Sequence, residues 1–562
     1  MIGVIAEDTE LVIAREFFQL FKTPWEPYIA GRSYDAVITT RPEVPEDLGA
    51  QLVVVYSSMV TAAEGQPEVP IESEQKYSWV EWQGTSFPIY GELAGVRPVG
   101  QPLIFRRGTS EPVAAFVYGS KCGCVRVGYD LLREVRFLLS RGQPAHNADI
   151  PTLDIHIALL RAIIAWGGVT FVEIPPAPAS YDFATCLTHD VDFVGIRDHK
   201  FDHTMWGFLY RCFVGSMAGA LRRRIPWSRC LQNWAAALSL PLVHLGLRDD
   251  FWLEFERYAA IEGEFGSTFF FIPFRNYAGT LGATPAPKRR AAKYDLARIR
   301  RHVAELVRKG FEVGLHGIDA WRDSQSARLE QTRITETTGQ PVVGTRMHWL
   351  YWTDTSPLAL DGAGIGYDST FGYNDAVGFR AGTSQPFRPI GAKRLLELPL
   401  NIQDSALFYG DRMRLSEEEG LNACRRLIRS MLLHGGALTV NWHTRSLSPE
   451  RLWGDFYALL LREIRAHRVW FSTAQEIVGW YRNRRELCFE SVELSGKGVR
   501  VSLSGPNGPS EPSFAVRVYR PNSVSNDSRL PLPVPESSDI PWDGVGPLEI
   551  LFEDSPVREA SY

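Results

Sequence analysis

Several short apolar segments of this chain end in side chains that can do chemistry. "CLTHDVDF" ends with His189, Asp190 and Asp192, and "EVGLHGID" with His316 and Asp319. "GTRMHWLYW" presents Arg346 and His348, "YDST" presents Asp368, and "VNWHTR" presents His443. Any one of these is ordinary where a strand becomes a loop. Their recurrence at strand after strand points to a shared site. Neutral imidazoles and carboxylates suit a divalent transition metal. A catalytic metal needs about three protein ligands and one open position for water, and Asp, His and His would meet that count. The ion would bring the pKa of a bound water from 15.7 towards about 7. A separate carboxylate could then take the remaining proton, and a separate imidazole could protonate a leaving group.

Such residues converge only if the segments before them lie side by side. From Phe183 to about Arg485, buried-looking strands such as "FATCLTHD", "STFFFIP", "FEVGLHG", "PVVGTRMHW", "LLELPLN", "ALTVNWH" and "VWFST" alternate with helical patterns such as "DLARIRRHVAELVRKG". That alternation predicts an α/β fold with a parallel sheet, here a distorted parallel (β/α) barrel. In such a sheet the C-terminal strand ends share one face, where sites are built. Residues 1–180 read as an α/β accessory domain without a cluster of catalytic types. Residues 181–485 read as the catalytic domain, interrupted at about 204–238. Residues 486–562 read as a small β-rich appendage or tail, rich in Gly, Pro, Ser and Asn turns.

The order of the polar ends resembles the polysaccharide deacetylase superfamily, also called carbohydrate esterase family four or the NodB-homology domain. "THDVD" is similar to that family's first motif, a pair of Asp residues. The resemblance implies Asp190 as base and Asp192 as metal ligand. "KGFEVGLHG" resembles the second motif and implies His316 as ligand. The third motif's Arg, which orients the base, maps to Arg346. The last motif's His maps to His443 as general acid. Two positions depart from the pattern. The second His of the second motif is missing, since positions 320 and 321 are Ala and Trp, and His348 stands where the third motif usually has Pro. His348 is expected to replace the lost imidazole, with Asp319 as the rival ligand. The resemblance implies a metal-dependent hydrolase that removes an N-acetyl group from a sugar of a surface polysaccharide or its precursor. Zn²⁺ is the expected ion, with Co²⁺, Mn²⁺, Ni²⁺ and Fe²⁺ as alternatives. An O-acetyl esterase would use the same parts. A non-catalytic glycan-binding or polysaccharide-assembly protein is the reading from another class. Arg380 and Arg388 in "GFRAGTSQPFRP", with Trp349 and Asp368, are candidate substrate contacts. Trp352 and Trp442 are further aromatic candidates, for stacking or for the core.

Composition narrows the partners. Sixty Lys and Arg against 65 Asp and Glu leave a net charge of -5, which gives no bulk electrostatic grip on nucleic acid. Seven scattered cysteines make no disulfide framework, and the "KCGC" pair at Cys122 and Cys124 reads as a turn. Glu7 and Asp8 stand where a secretory signal would be basic, so a cytoplasmic protein is expected. The segment "TMWGFLYRCFVGSMAGALRRRIPWSRCLQNWAAAL" combines apolar residues with Arg222, Arg223 and Arg224. It reads as a lid or packing helix, or as a weak peripheral membrane contact. Gly207, Gly215 and Gly219 weaken any helix there by about 1 kcal/mol each. The oligomeric state is not legible.

Overall fold

The computed structural model describes residues 1–42, 48–59, 77–96, 101–117, 123–223, 225–253, 255–282, 284–451, 453–495, 498–505, 510–521, 535–544 and 546–551. Cys122 and Arg224 lie outside these. The chain forms two compact units. One comprises residues 1–139, 152–181 and 479–562, and the other residues 140–151 and 182–478.

In the first unit a mixed sheet of nine strands runs in the order Trp25–Pro27, Ile2–Ile5, Tyr34–Thr39, Ala50–Tyr56, Gly123–Val127, Pro112–Val117, Pro102–Arg106, Ser78–Trp82, Thr85–Ile89. Its first five strands are parallel and the rest antiparallel. The strand Phe171–Glu173 pairs with Phe514–Tyr519, which pairs with Ser537–Trp542. Buried Glu173 accepts from Arg161 Nε at 2.7 Å and from Tyr519 Oη at 3.1 Å. That charge is met on both sides, as an interior carboxylate requires.

The second unit holds the polar strand ends. Its sheet has nine strands, all parallel. The order is Leu396–Glu397, Tyr367–Asp368, Gly344–Met347, Glu312–Gly317, Thr268–Phe271, Phe183–Val191, Ala437–Asn441, Ile402–Gln403, with Val469–Ser472 also on Phe183–Val191. Every residue of Phe183–Val191 is buried, which explains its near-continuous apolar run. Helices such as Arg300–Arg308, Ser324–Thr338 and Glu417–His434 link the strands. They cover one large core that includes Phe269, Phe271, Leu315, Val440 and Trp442. Trp442 is fully buried and stacks on Phe456 and Tyr457, so it is a core residue.

The two edges of this sheet meet on a single stretch, 396–403. Leu398 N donates to Asp368 O at 2.7 Å on one side, and Asn401 N donates to Thr439 O at 3.1 Å on the other. The result is a distorted parallel barrel seamed by two-residue strands. The seam depends on Asn401, whose Oδ1 accepts from Thr439 N at 3.0 Å and whose Nδ2 donates to Gly378 O at 3.2 Å. Asn401→Ala leaves these buried backbone groups without their partner and is expected to lower stability by about 1–3 kcal/mol. Chemical denaturation followed by circular dichroism reads this, and an unchanged midpoint would show that the seam does not depend on the side chain.

Candidate metal and hydrolytic site

Parallel register puts the chemistry on one rim. Asp190 lies beside Phe270, Phe271 beside Leu315, and His316 beside Arg346. The strands Phe183–Val191, Glu312–Gly317, Gly344–Met347 and Ala437–Asn441 thus bring polar residues at or just beyond their C-terminal ends to the same end of the barrel. There a pocket of about 220 Å³ opens, lined by Asp190, Asp192, His316, His348 and His443, among others. That volume suits an acyl group with a water, or one end of a larger ligand, better than a whole drug-sized molecule.

Two carboxylates two residues apart have different surroundings. Asp192 sits between imidazoles. Its Oδ1 is 3.2 Å from His316 Nε2 and 3.1 Å from His348 Nδ1, and those two nitrogens are 3.0 Å apart. Burial raises the Asp192 pKa, but His348 and His316 outweigh it and hold the carboxyl well below its ordinary value. His316 Nδ1 donates to Arg346 O at 2.9 Å, which fixes the tautomer and leaves Nε2 a lone pair aimed at the cluster. Burial holds the His348 pKa below its ordinary value, which favours the neutral, ligating form. A carboxylate and two imidazole nitrogens converging in this way fit a divalent metal, and among the described residues these three form such a group.

Asp190 is held by a different set. Arg346 Nη1 donates to Asp190 Oδ1 at 3.1 Å, and Asn441 Nδ2 donates to Oδ2 at 2.8 Å. Burial raises its pKa, but His316, Arg346 and His443 together bring it below the ordinary value. Arg346 is itself fully buried. Its Nη1 donates to Thr188 Oγ1 at 2.7 Å, its Nε to Ser369 O at 2.9 Å and its Nη2 to Ser369 Oγ at 2.8 Å.

His443 faces both carboxylates from the next strand end, with Nε2 3.9 Å from Asp190 Oδ2 and 3.8 Å from Asp192 Oδ2. Its Nδ1 donates to Asp404 Oδ1 at 2.6 Å. Burial pushes the imidazolium down, but Asp404 outweighs it and, with Asp192 and Asp190, lifts the pKa to about 10. Asp404 is fully buried at the start of the short helix Asp404–Phe408 and also accepts from His443 N at 2.8 Å. Sequence reasoning passed it over. Its signal was an Asp just after "LLELPLNIQ", a further polar residue at a strand end.

The other candidates are placed as follows. His348 joins His316 and Asp192, whereas Asp319 accepts from Tyr277 Oη at 2.6 Å and Thr280 N at 3.0 Å. His189 belongs to the core, with Nδ1 donating to Trp442 O at 2.9 Å and Nε2 2.8 Å from Glu262. Trp349 lines the pocket, and both it and Leu350 have positive φ, at 64° and 53°. Two successive left-handed non-glycine residues beside a candidate ligand store strain of the kind found at functional sites.

Asp368 and Arg380 are not brought to the pocket lining. Asp368 is buried, with a pKa raised by burial to about 7, and accepts from Thr370 Oγ1, which in turn accepts from Met347 N at 2.9 Å. It therefore braces the end of the Arg346 strand. Arg380 donates to Gly372 O at 3.0 Å and lies 4.3 Å from the Phe371 ring centroid, while Arg388 is exposed. Trp352 packs on Phe371. The arginines that do line the pocket are Arg289, Arg290 and Arg412, none of them singled out in the sequence. Arg290 is committed to the carbonyls of Ala278, Ile318 and His348. Arg289 is exposed and lies over Trp349 at 5.4 Å.

No family model and no curated protein matches the chain. Solved structures similar to it include a putative polysaccharide deacetylase from Mycobacterium smegmatis, 19% identical with a TM-score of 0.35, over 55% of this chain and 95% of that one. An allantoinase is 15% identical with a TM-score of 0.34, over 55% and 93%. A probable polysaccharide deacetylase from Pseudomonas aeruginosa PAO1 is 15% identical with a TM-score of 0.33, over 55% and 94%.

If Asp192, His316 and His348 form the ligand set, Asp192→Asn and His348→Ala should each weaken zinc retention by at least the about 10–100-fold seen for outer-shell changes. Asp319→Asn should leave it unaltered. Elemental analysis after dialysis against a competing chelator distinguishes these outcomes, and zinc lost from Asp319→Asn but kept by His348→Ala would reverse the ligand choice.

Proposed function

We propose that the unit containing residues 182–478 is a metal-dependent carbohydrate deacetylase of the polysaccharide deacetylase type, acting on an N-acetylated sugar. One observation carries this reading. Two carboxylates in one small pocket are differentiated by their neighbours, Asp192 between two imidazoles and Asp190 between Arg346 and Asn441, with His443 facing both. A hydrolase needs that division of labour, and a surface that only binds glycan does not.

Asp192, His316 and His348 would hold a divalent ion. When bound, it supplies Lewis acidity that acidifies water and polarises an acyl oxygen. Asp190 accepts the proton of the attacking water. Its ionised form is favoured at neutral pH by Arg346 and the neighbouring imidazoles. The water oxygen bonds to the acetyl carbon and the C–N bond breaks. His443, protonated at neutral pH, gives its Nε2 proton to the departing amine. Acetate and a free amino sugar result. Asp404 holds Nδ1 of His443 and so aims Nε2 into the pocket. An O-acetyl ester would be cleaved by the same groups, with an alcohol as leaving group. Trp349 offers a ring for a sugar face. Arg289 and Arg412 offer charge for an anionic substituent such as a uronate or phosphate.

Two variants test these roles. With the zinc-loaded protein on partially N-acetylated chitosan oligomers, Asp190→Asn should cut acetate release by about 10²–10⁴-fold while zinc content is retained. Equal loss of metal from Asp190→Asn and Asp192→Asn would refute the division of labour. The alkaline limb of the rate profile should follow His443, whose acid form is lost as pH rises through about 10. Asp404→Asn removes the largest raising influence, so that limb should move down towards the ordinary histidine value of about 6.5. A limb that stays in place would show that His443 is not the proton donor.

A further inference from the structure

The segment that interrupts the barrel between its first two strands carries apolar residues on both sides. His203–Tyr210, a π-helical turn Arg211–Gly215 and Ser216–Leu221 form one helical run, followed by Trp227–His244. Helices form despite Gly207, Gly215 and Gly219 because inward residues pack a local core of Met205, Phe208, Cys212, Ala236, Leu240, Val243 and Trp252. That accounts for one face only. On the other, Trp206, Tyr210, Phe213, Val214, Met217 and Leu221 are exposed at helical spacing along the first run. Trp227, Leu231, Leu238, Leu242 and Leu245 repeat the pattern along the second. The exposures are large: 56% for Trp206, 69% for Leu221 and 73% for Leu238. Exposed apolar residues scattered singly are normal, but two stripes on adjoining helices mark a surface that something covers.

Charge identifies what covers it. From His203 to Arg248 there is no Asp or Glu. Arg222 and Arg223, at the end of the first run, are exposed. An apolar stripe with Trp and Tyr, flanked by basic residues and lacking acidic ones, complements an anionic bilayer surface. Two copies of this face would instead bring groups of like sign together with no acid among these residues to answer them. No described helix is long and apolar enough to cross a membrane, so contact would be with the surface alone.

We propose that the face formed by residues 203–223 and 225–248 docks on an anionic lipid surface, inserting Trp206, Trp227 and the leucines among the acyl chains with Arg222 and Arg223 at headgroup level. His203, the first residue of the run, lines the pocket, so this face begins at the rim of the candidate active site. Resting on the deacetylase reading, that placement suits a saccharide carried on a lipid.

The test needs no activity. The full chain is sedimented with vesicles of phosphatidylglycerol and phosphatidylcholine, or of phosphatidylcholine alone, at low and high salt. Binding is expected to the anionic vesicles and to weaken with salt. Arg222→Ser with Arg223→Ser should lower partition by about fivefold for each arginine. Trp206→Ser, Leu221→Ser and Leu238→Ser combined should lower it by at least about tenfold, with an unchanged circular dichroism spectrum. Leu433→Ser, at an exposed leucine on another helix, should have no effect. Absence of binding at low salt, binding that the combined apolar variant leaves intact, or a self-associated protein that this variant dissociates would each overturn the proposal. The last result would assign the face to a second copy. None of these results depends on acetate release, so the lipid proposal and the hydrolase reading fail separately.

Discussion

A guanidinium cannot be neutralised at any pH a protein experiences, so a fully buried arginine obliges the fold to meet its charge from within. Arg346 is that residue here. Its donors are taken by Asp190, Thr188 and Ser369, and its face lies 4.7 Å from the centre of the Phe270 ring. These partners come from strands 183–191 and 268–271 and from the turn after 367–368, and Arg346 itself comes from 344–347. One side chain therefore holds in register strand ends that are distant in sequence. Removing one partner of such a pair typically costs about 3–5 kcal/mol because the other charge is left buried alone.

The rest of the site follows from that constraint. Asp190 is committed to Arg346 and Asn441, so it is poorly placed to join the imidazoles, and Asp192, two residues on and partly exposed, takes that position. The same logic holds around His443. Its own burial would discharge it, and Asp404 keeps the ring charged and oriented. Asp190 and His443 thus carry opposite charges at neutral pH within one pocket, Asp190 held by Arg346 and His443 by Asp404. Arg290 plays a comparable part for the imidazoles, bonding the backbone carbonyl of His348 at the point where the chain turns through Trp349 and Leu350 with positive φ.

Much of this was legible in the sequence because parallel strands buried on both faces give long apolar runs, and a polar residue at the end of such a run stands out. Asp190, Asp192, His316, Arg346, His348 and His443 each stand at or just after the end of such a run, and the fold gathers them around one pocket. Asp404 was missed because its strand, Ile402–Gln403, is two residues long and has no periodicity to read. Arg289 and Arg412 were missed for a similar reason. Arg289 lies in the short 3₁₀ helix Lys288–Arg290 and Arg412 in a turn outside any helix or strand, and neither has a periodicity to read. Arg380 and Asp368 carried a visible signal with another meaning: burial turned both into supports behind the pocket. The helices of residues 203–244 show the limit of propensity, since packing outweighs three glycines.

At the centre of the proposed site stand three ligands and a base that is not one of them. Anomalous diffraction from crystals of the zinc-loaded chain, recorded on both sides of the zinc edge, tests this most directly. One peak bonded to Asp192, His316 and His348 is expected, with Asp190 still paired to Arg346. A peak bonded to Asp190 or Asp319, or one without contact to His316, would contradict it.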